Sequence, residues 1–235
     1  MSTSTSIMNK EHHISILMPV YNGIEFIEES VSSVINQTAQ NWELLIGING
    51  HPPNSDVFQL AQNYISKLHD KRIKVIDFHE CKGKPTTLNK MILYCNPKFN
   101  YVAILDVDDI WFPQKLELQN PYLLQNYDVI GARCVYFGDR NNIIPNTPYG
   151  DISNFDFLLV NPVINSSSII LKSVAYWNDG VEGVEDYDLW LRLWKEKKRF
   201  YVCENVLVKH RIHQSSAFNA KGNHNTADIL KRKYM

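Results

Sequence analysis

The sequence predicts an α/β protein, a single domain built on a mostly parallel sheet flanked by helices. Three observations carry this expectation. Four β-rich runs recur before residue 106, and stretches with apolar residues at helical spacing separate them. No repeat or low-complexity linker interrupts the 235 residues, a length that suits one core. The fourth run ends abruptly in acid, YVAILDVDDIWF, as a strand does where such sheets bind ligands.

Residues 1–12 read as a flexible polar tail without the apolar stretch of a secretory signal, and 13–235 as the folded domain. Ile14 to Val20 is the first strand, stopped by Pro19 and Gly23. Ile24, Ile27, Val31, Val34 and Ile35 then follow helical spacing up to Thr38. Trp42 to Ile48 is the second strand, closed by the turn-rich NGHPPNSD. Val57, Leu60, Ala61, Tyr64 and Leu68 mark the next helix, and Ile73 to Phe78 the third strand. A shorter helix over Pro85 to Tyr94 leads to the fourth. Beyond it, Tyr127 to Phe137, Ser166 to Leu171 and Phe200 to Val208 read as strands. Trp111 to Leu118 and Val184 to Lys195 read as helices.

A net charge of −1 argues against a nucleic-acid surface. Cys81, Cys95, Cys134 and Cys203 have no paired spacing, which points to reduced thiols in a cytosol-like compartment. No run approaches the roughly 20 apolar residues of a spanning helix, so a soluble cytoplasmic protein is expected. The terminal KRKYM reads as a solvated tail, with peripheral contact to an anionic membrane as the alternative.

Asp106, Asp108 and Asp109 repel one another unless a cation joins them. Carboxylate oxygens at a strand end suit Mg²⁺ or Mn²⁺, which share their ligands with substrate phosphates. An acidic turn or helix cap is the plain alternative.

In order and spacing, SILMPVYNG, NWELLI, KGKPTTLNK and AILDVDD resemble the nucleotide-binding half of family 2 glycosyltransferases, which have the Rossmann-like GT-A fold. NSSSIILKS, NDGVEGVEDYDLWLRL and KHRIHQSS are similar to that family's acceptor segment, Glu-Asp motif and terminal Arg-x-His. The resemblance runs from about Ile14 to Ser216. It implies a nucleotide-binding half over 13–110 and an acceptor-binding half over 111–235.

On matching positions it implies that Asp108 binds the metal, that Asp109 assists directly or through water, and that His213 completes the shell. It assigns Asp106 to the donor's ribose or to the metal shell. Pro19, Val20 and Tyr21 would face the nucleotide base, although on these residues alone a plain strand-to-helix turn is the favoured reading. Asn49 stands where the family usually has a base-reading Asp. An amide donates as well as accepts, so donor preference stays open. Lys84, at a predicted helix start, is the better phosphate contact of the pair Lys82 and Lys84. Arg211 would fork onto the diphosphate, and His210 replaces a common Tyr.

In the predicted helix, Val184, Tyr187, Trp190, Leu191 and Trp194 share the core face at about 100° per residue, and Glu185 points away. Asp188 and Arg192 read as a surface i,i+4 pair. Asp186, in the first turn, matches the family's general base, with a helix-capping acid as the alternative. Glu185 and Trp190 are assigned to the acceptor side.

The resulting expectation is an inverting, metal-assisted glycosyltransferase of glycan biosynthesis. It would use a nucleotide-diphosphate sugar and a glycan, lipid-linked or protein hydroxyl acceptor, with oligomerisation left open. Two other readings compete. A GT-A-like domain could bind nucleotide or glycan without turnover. AILDVDDI also fits a haloacid-dehalogenase-like phosphatase with Asp106 as nucleophile, but its position late in the chain argues against that.

Overall fold

Ile14–Val20 forms β1, buried along its whole length, as a strand covered on both faces must be. The computed structural model describes residues 12–181, 183–213 and 223–235, leaving out the side chains of 223–225. The tail expected over 1–12 therefore lies outside the described residues except for His12. That residue is not loose: its backbone N–H donates to Asn120 Oδ1 (3.0 Å) and its ring packs edge-on against Tyr101.

The first half follows the predicted alternation. Strands β2 (Trp42–Asn49), β3 (Ile73–Phe78) and β4 (Tyr101–Ile104) join β1 in parallel, with helices α1 (Ile27–Ile35), α2 (Asp56–Leu68) and α3 (Lys84–Ile92) as crossovers. Local chemistry sets the helix ends. Ser55 caps α2 by accepting from Phe58 N–H, and His69 closes it at φ 52. Gly83, at φ 82, turns the chain into α3, whose second residue is Pro85.

The second half departs further from expectation. Trp111, expected to open a helix, instead forms the short strand β5 with Ile110, and α4 starts only at Lys115, running to Leu123. Strand β6 (Val129–Gly138) and β8 (Ile169–Leu171) follow, but Ser166 and Ser167, expected to open that strand, belong to a 3₁₀ turn over Asn165–Ser167. Gly150–Asp151 adds β7, helix α5 covers Glu185–Lys195, and β9 extends from Phe200 to Ile212. The sheet order is β3-β2-β1-β4-β8-β6-β9-β5, with β7 paired to β9. Strand β8 is antiparallel to both β4 and β6, which makes the sheet mixed here.

The C-terminus also differs. Asn223–Lys233 is a helix, α6, rather than a solvated tail. Leu230 is buried, and Tyr234 Oη donates to Asp188 on α5 (2.9 Å). Among the described residues no helix is long and apolar enough to cross a membrane. The carboxyl ends of β1, β2 and β4 meet the end of β9 and the start of α5 around one cavity.

Candidate active site

That cavity has a volume of about 910 Å³. Its floor is the turn after β4. Asp106 and Asp108 both line it, while the Leu105 N–H donates to Leu17 O (3.0 Å) and so fixes the turn on β1. The carboxylates do different work. Asp106 takes Lys84 Nζ at 2.5 Å and the Asn165 amide at 3.0 Å. Burial pushes its carboxyl up, but Lys84 more than offsets this and holds it below the usual range. Asp108 Oδ2 lies 2.9 Å from His213 Nε2, and both side chains line the cavity. Burial and the neighbouring Asp109 and Asp106 raise its carboxyl, so it is short of positive charge.

Asp109 corrects the expectation of a third ligand. It is fully buried and does not line the cavity. One oxygen accepts Arg211 N–H (2.9 Å), and the other is 3.0 Å from His210 Nδ1. Burial pulls the His210 imidazole down, yet Asp109 lifts it to about 9, so the ring is cationic near neutral pH. His210 lines the cavity, and residue types alone did not single it out.

Arg211 is not free for a diphosphate. Its guanidinium donates to Asp108 O (2.9 Å) and Glu29 Oε2 (2.6 Å), between the rings of Phe26 and Phe137, outside the cavity lining. Val20 points into the core, whereas Pro19 and Tyr21 line the cavity. Trp190 is fully buried against Phe200, a core residue rather than an acceptor contact.

Asn49 lines the cavity at the end of β2, only 3% exposed. Gly50 follows at φ 73, and a β-carbon there would meet the Tyr21 ring at 2.7 Å. His51 Nε2 approaches Tyr21 O (2.5 Å) with its ring beside that of Tyr21. Tyr21, Gly50 and His51 thus make one wall, which depends on glycine for its closeness.

The opposite wall is α5. Glu185 does not point away as its helical position suggested. It is buried at the cavity, 3.5 Å from Lys84 Nζ. Burial lowers Lys84, but Asp106 and Glu185 override it and keep the ammonium charged. The expected phosphate contact is therefore held between two carboxylates. Asp188 is likewise not half of a surface pair. It is buried and is met by Tyr234 and the exposed Lys233, while Arg192 pairs with Glu196.

Asp186 sits next to Glu185. Its Oδ2 accepts from the Asn161 amide (3.1 Å) and its Oδ1 from Tyr187 N–H (2.8 Å). Burial, then Glu185, push it up to about 6 against the pull of Lys84. It does not itself line the cavity but adjoins Glu185, which does.

Among the described residues no group of three His, Cys, Asp or Glu side chains could hold an ion. Asp108 and His213 nevertheless fit a shared site. An oxygen and a nitrogen donor converge on an acidic, partly desolvated cavity, the partial ligand set of an ion completed by phosphates and water.

The sequence profile described as Glycosyl transferase family 2 matches residues 15–180. An uncharacterized glycosyltransferase of Methanocaldococcus jannaschii is 32% identical over 210 residues, covering 85% of this chain and 70% of the relative. The Escherichia coli UDP-Glc:alpha-D-GlcNAc-diphosphoundecaprenol beta-1,3-glucosyltransferase WfgD is 29% identical over 222 residues, 90% of this chain and 81% of its own. Among solved structures, S. aureus TarS 1–349 in complex with UDP-GlcNAc has a TM-score of 0.72 at 14% identity, covering 93% of this chain and 65% of that one. The mannosyltransferase PcManGT from Pyrobaculum calidifontis, in complex with GDP-Man and Mn²⁺, has a TM-score of 0.70 at 13% identity, with 94% and 63% covered. The chain thus spans slightly less than two thirds of these solved structures, and at such identities the likeness speaks to the fold.

Proposed function

The chain belongs to glycosyl transferase family 2 and has the GT-A fold, and from that premise we propose that it moves a sugar from a nucleotide-diphosphate donor to an acceptor hydroxyl by one inverting displacement. The observation that carries this reading is the placement of two unlike carboxylates, one lining the cavity and one just behind its wall. Asp108 waits beside His213, and Asp186, raised to about 6, stands behind Glu185.

Tyr21, with Asn49 and His51, supplies an aromatic and amide surface for a base at the other end of the cavity. Asp106 and Lys84 occupy the middle, between base and acceptor, where ribose and sugar hydroxyls would find both an acceptor and a donor. Asp108 and His213 would hold Mn²⁺ or Mg²⁺ with the donor's phosphates. The ion, when bound, supplies positive charge for the leaving diphosphate. His210, cationic and lining the cavity, adds a protein charge beside the same place.

Asp186 removes the acceptor's proton as its oxygen attacks. A carboxylate near 6 is ionised at neutral pH yet basic enough to take a proton, and a placed base contributes roughly 10²–10⁴ in rate. Asn161 and Tyr187 N–H hold it in orientation. The relatives' printed substrates support a nucleotide-sugar donor, with a lipid-linked acceptor one candidate class.

The test is Asp186→Asn, assayed by sugar transfer with Mn²⁺ across pH. Wild type should lose kcat below an apparent pKa of about 6, as Asp186 becomes protonated. The variant should fall at least about 100-fold while still binding nucleotide. Turnover surviving the substitution with the same acid limb rules Asp186 out as the base.

A further inference from the structure

Arg133 holds a positive charge that nothing described so far uses. It lies on β6 where the register with β9 slips: Ala132 pairs with Cys203, Arg133 with Val206 and Cys134 with Val208. The extra residues lie on β9, so β6 itself keeps its alternation through Arg133. Arg133 is half-buried, its Nε is sealed from solvent without an acceptor, and among the described residues it makes no hydrogen bond or ion pair. Its guanidinium lies over the ring of Tyr149, 5.4 Å from the centroid, and that ring is itself exposed. A partly desolvated guanidinium without an anion forgoes the forked, charge-assisted bonds that this side chain makes best.

Register places it. Ala103 pairs with Ile169 and Ile169 with Ile130, so these three share a row across β4, β8 and β6. Both outer strands run antiparallel to β8 and therefore in the same direction. Three residues past that row stand Asp106 on one side and Arg133 on the other. Arg133 thus lies on the cavity-floor side of that row, on the second strand over from β4. Ser166 Oγ and Ser167 Oγ, which accept from Asp106 N–H and Ala132 N–H, tie the two positions together. Alternation puts Arg133 on the face of Gly131, where a β-carbon would meet Val163 at 3.2 Å. Val163 N–H donates to Asn161, whose amide donates to Asp186. Arg133 therefore stands on the sheet face of the proposed base and outside the lining of the donor cavity.

The geometry points to an oxyanion subsite made by Arg133 and Tyr149, which takes a phosphate or carboxylate carried by the acceptor. Only the word acceptor rests on the glycosyltransferase reading; the anion site stands on its own geometry. The guanidinium fork matches either oxyanion, and the Tyr149 ring offers the adjoining sugar a flat apolar face.

Calorimetric titration of the full chain with glucose 1-phosphate, glucuronate and methyl glucoside tests it. Wild type should bind at least one anionic probe about tenfold or more tightly than the neutral one, and the stronger of the two identifies the group. Arg133→Gln should erase that preference, and Arg133→Lys, keeping charge without the fork, should restore part of it. If Arg133→Gln does not fold, Arg133→Lys carries the test through an affinity between wild type and the neutral probe. An anion preference that survives Arg133→Gln, or none in wild type, overturns the proposal. A parallel titration with nucleoside diphosphates and Mn²⁺ keeps the two ideas apart. Failure of nucleotide to bind counts against the donor site and leaves the oxyanion result intact.

Discussion

Lys115 and Asp186 show how burial alone, or burial with a neighbour, changes what one side chain is. Asp186 is raised by its surroundings and keeps a partner amide, which suits a proton acceptor. Lys115 is fully buried at the start of α4, its Nζ without a hydrogen-bond partner and 3.9 Å from the Trp111 ring centroid. Burial pulls it down to about 7, and the aromatic face offsets only part of that cost. The sign follows from proton counting. Between pH 7 and about 10.4 the unfolded chain holds a proton that the native chain has released, so stability rises with pH across that window. Lys115→Met should stabilise the protein at pH 7 by roughly 4 kcal/mol and flatten the slope. Urea unfolding of both proteins from pH 6 to 10 measures this, and equal slopes would contradict it. Neither behaviour was legible in the residue types. Lysine at position 115 reads as surface, because burial is decided by Trp111 and the strands laid over it.

At the scale of elements, α5 connects chemistry to the C-terminus. Its first turn presents Glu185 to the cavity, and two residues past Asp186 the buried Asp188 receives Tyr234 and Lys233 from beyond the sequence's other motifs. Asn89 on α3 clasps the backbone of Trp177 from both sides, accepting from its N–H and donating to its O, and so steadies the loop that leads into α5. Tyr234→Phe removes a bond to a buried carboxylate and should cost about 1.5–3 kcal/mol. Thermal and denaturant melts would show it, and an unchanged midpoint would mean that α6 is only laid against α5. Helical periodicity placed α5 to within one residue yet misplaced Glu185 and Asp188. A helical wheel ranks faces by apolar content, whereas these acids are buried because Lys84 and Tyr234, distant in sequence, meet them. Strand β5 escaped notice for a related reason. Two residues carry no periodicity, and Ile110–Trp111 is extended only because β9 pairs with it.

At the scale of the molecule, donor and metal should stabilise the fold together, since the cavity proposed for them is lined from β1, β2 and the turn after β4, and Asp108 and His213 bring the ends of β4 and β9 together. A nucleoside diphosphate with Mn²⁺ at 100 times its Kd adds about 2.7 kcal/mol, which for a chain of this length is a rise of roughly 5–10 °C in Tm. EDTA or Asp108→Asn should remove most of that rise. A shift indifferent to chelation would mean that the nucleotide binds without an ion at Asp108 and His213.

The order of strands and helices in the first half, the parallel sheet and the acidic end of β4 were written in local patterns: apolar runs, helical spacing, and the turn residues between them. The sequence alone also established the family, because its motifs keep their order. Which carboxylate faces outward could not be read there. Asp108 and Asp109 are adjacent and chemically identical, yet one meets the cavity and the other a half-buried histidine and a backbone N–H. The difference is made by β9, which arrives a hundred residues later and whose backbone N–H must find an acceptor where it is buried. Only the assembled tertiary structure brings those groups within reach, and so only it separates a candidate ligand from a structural acid.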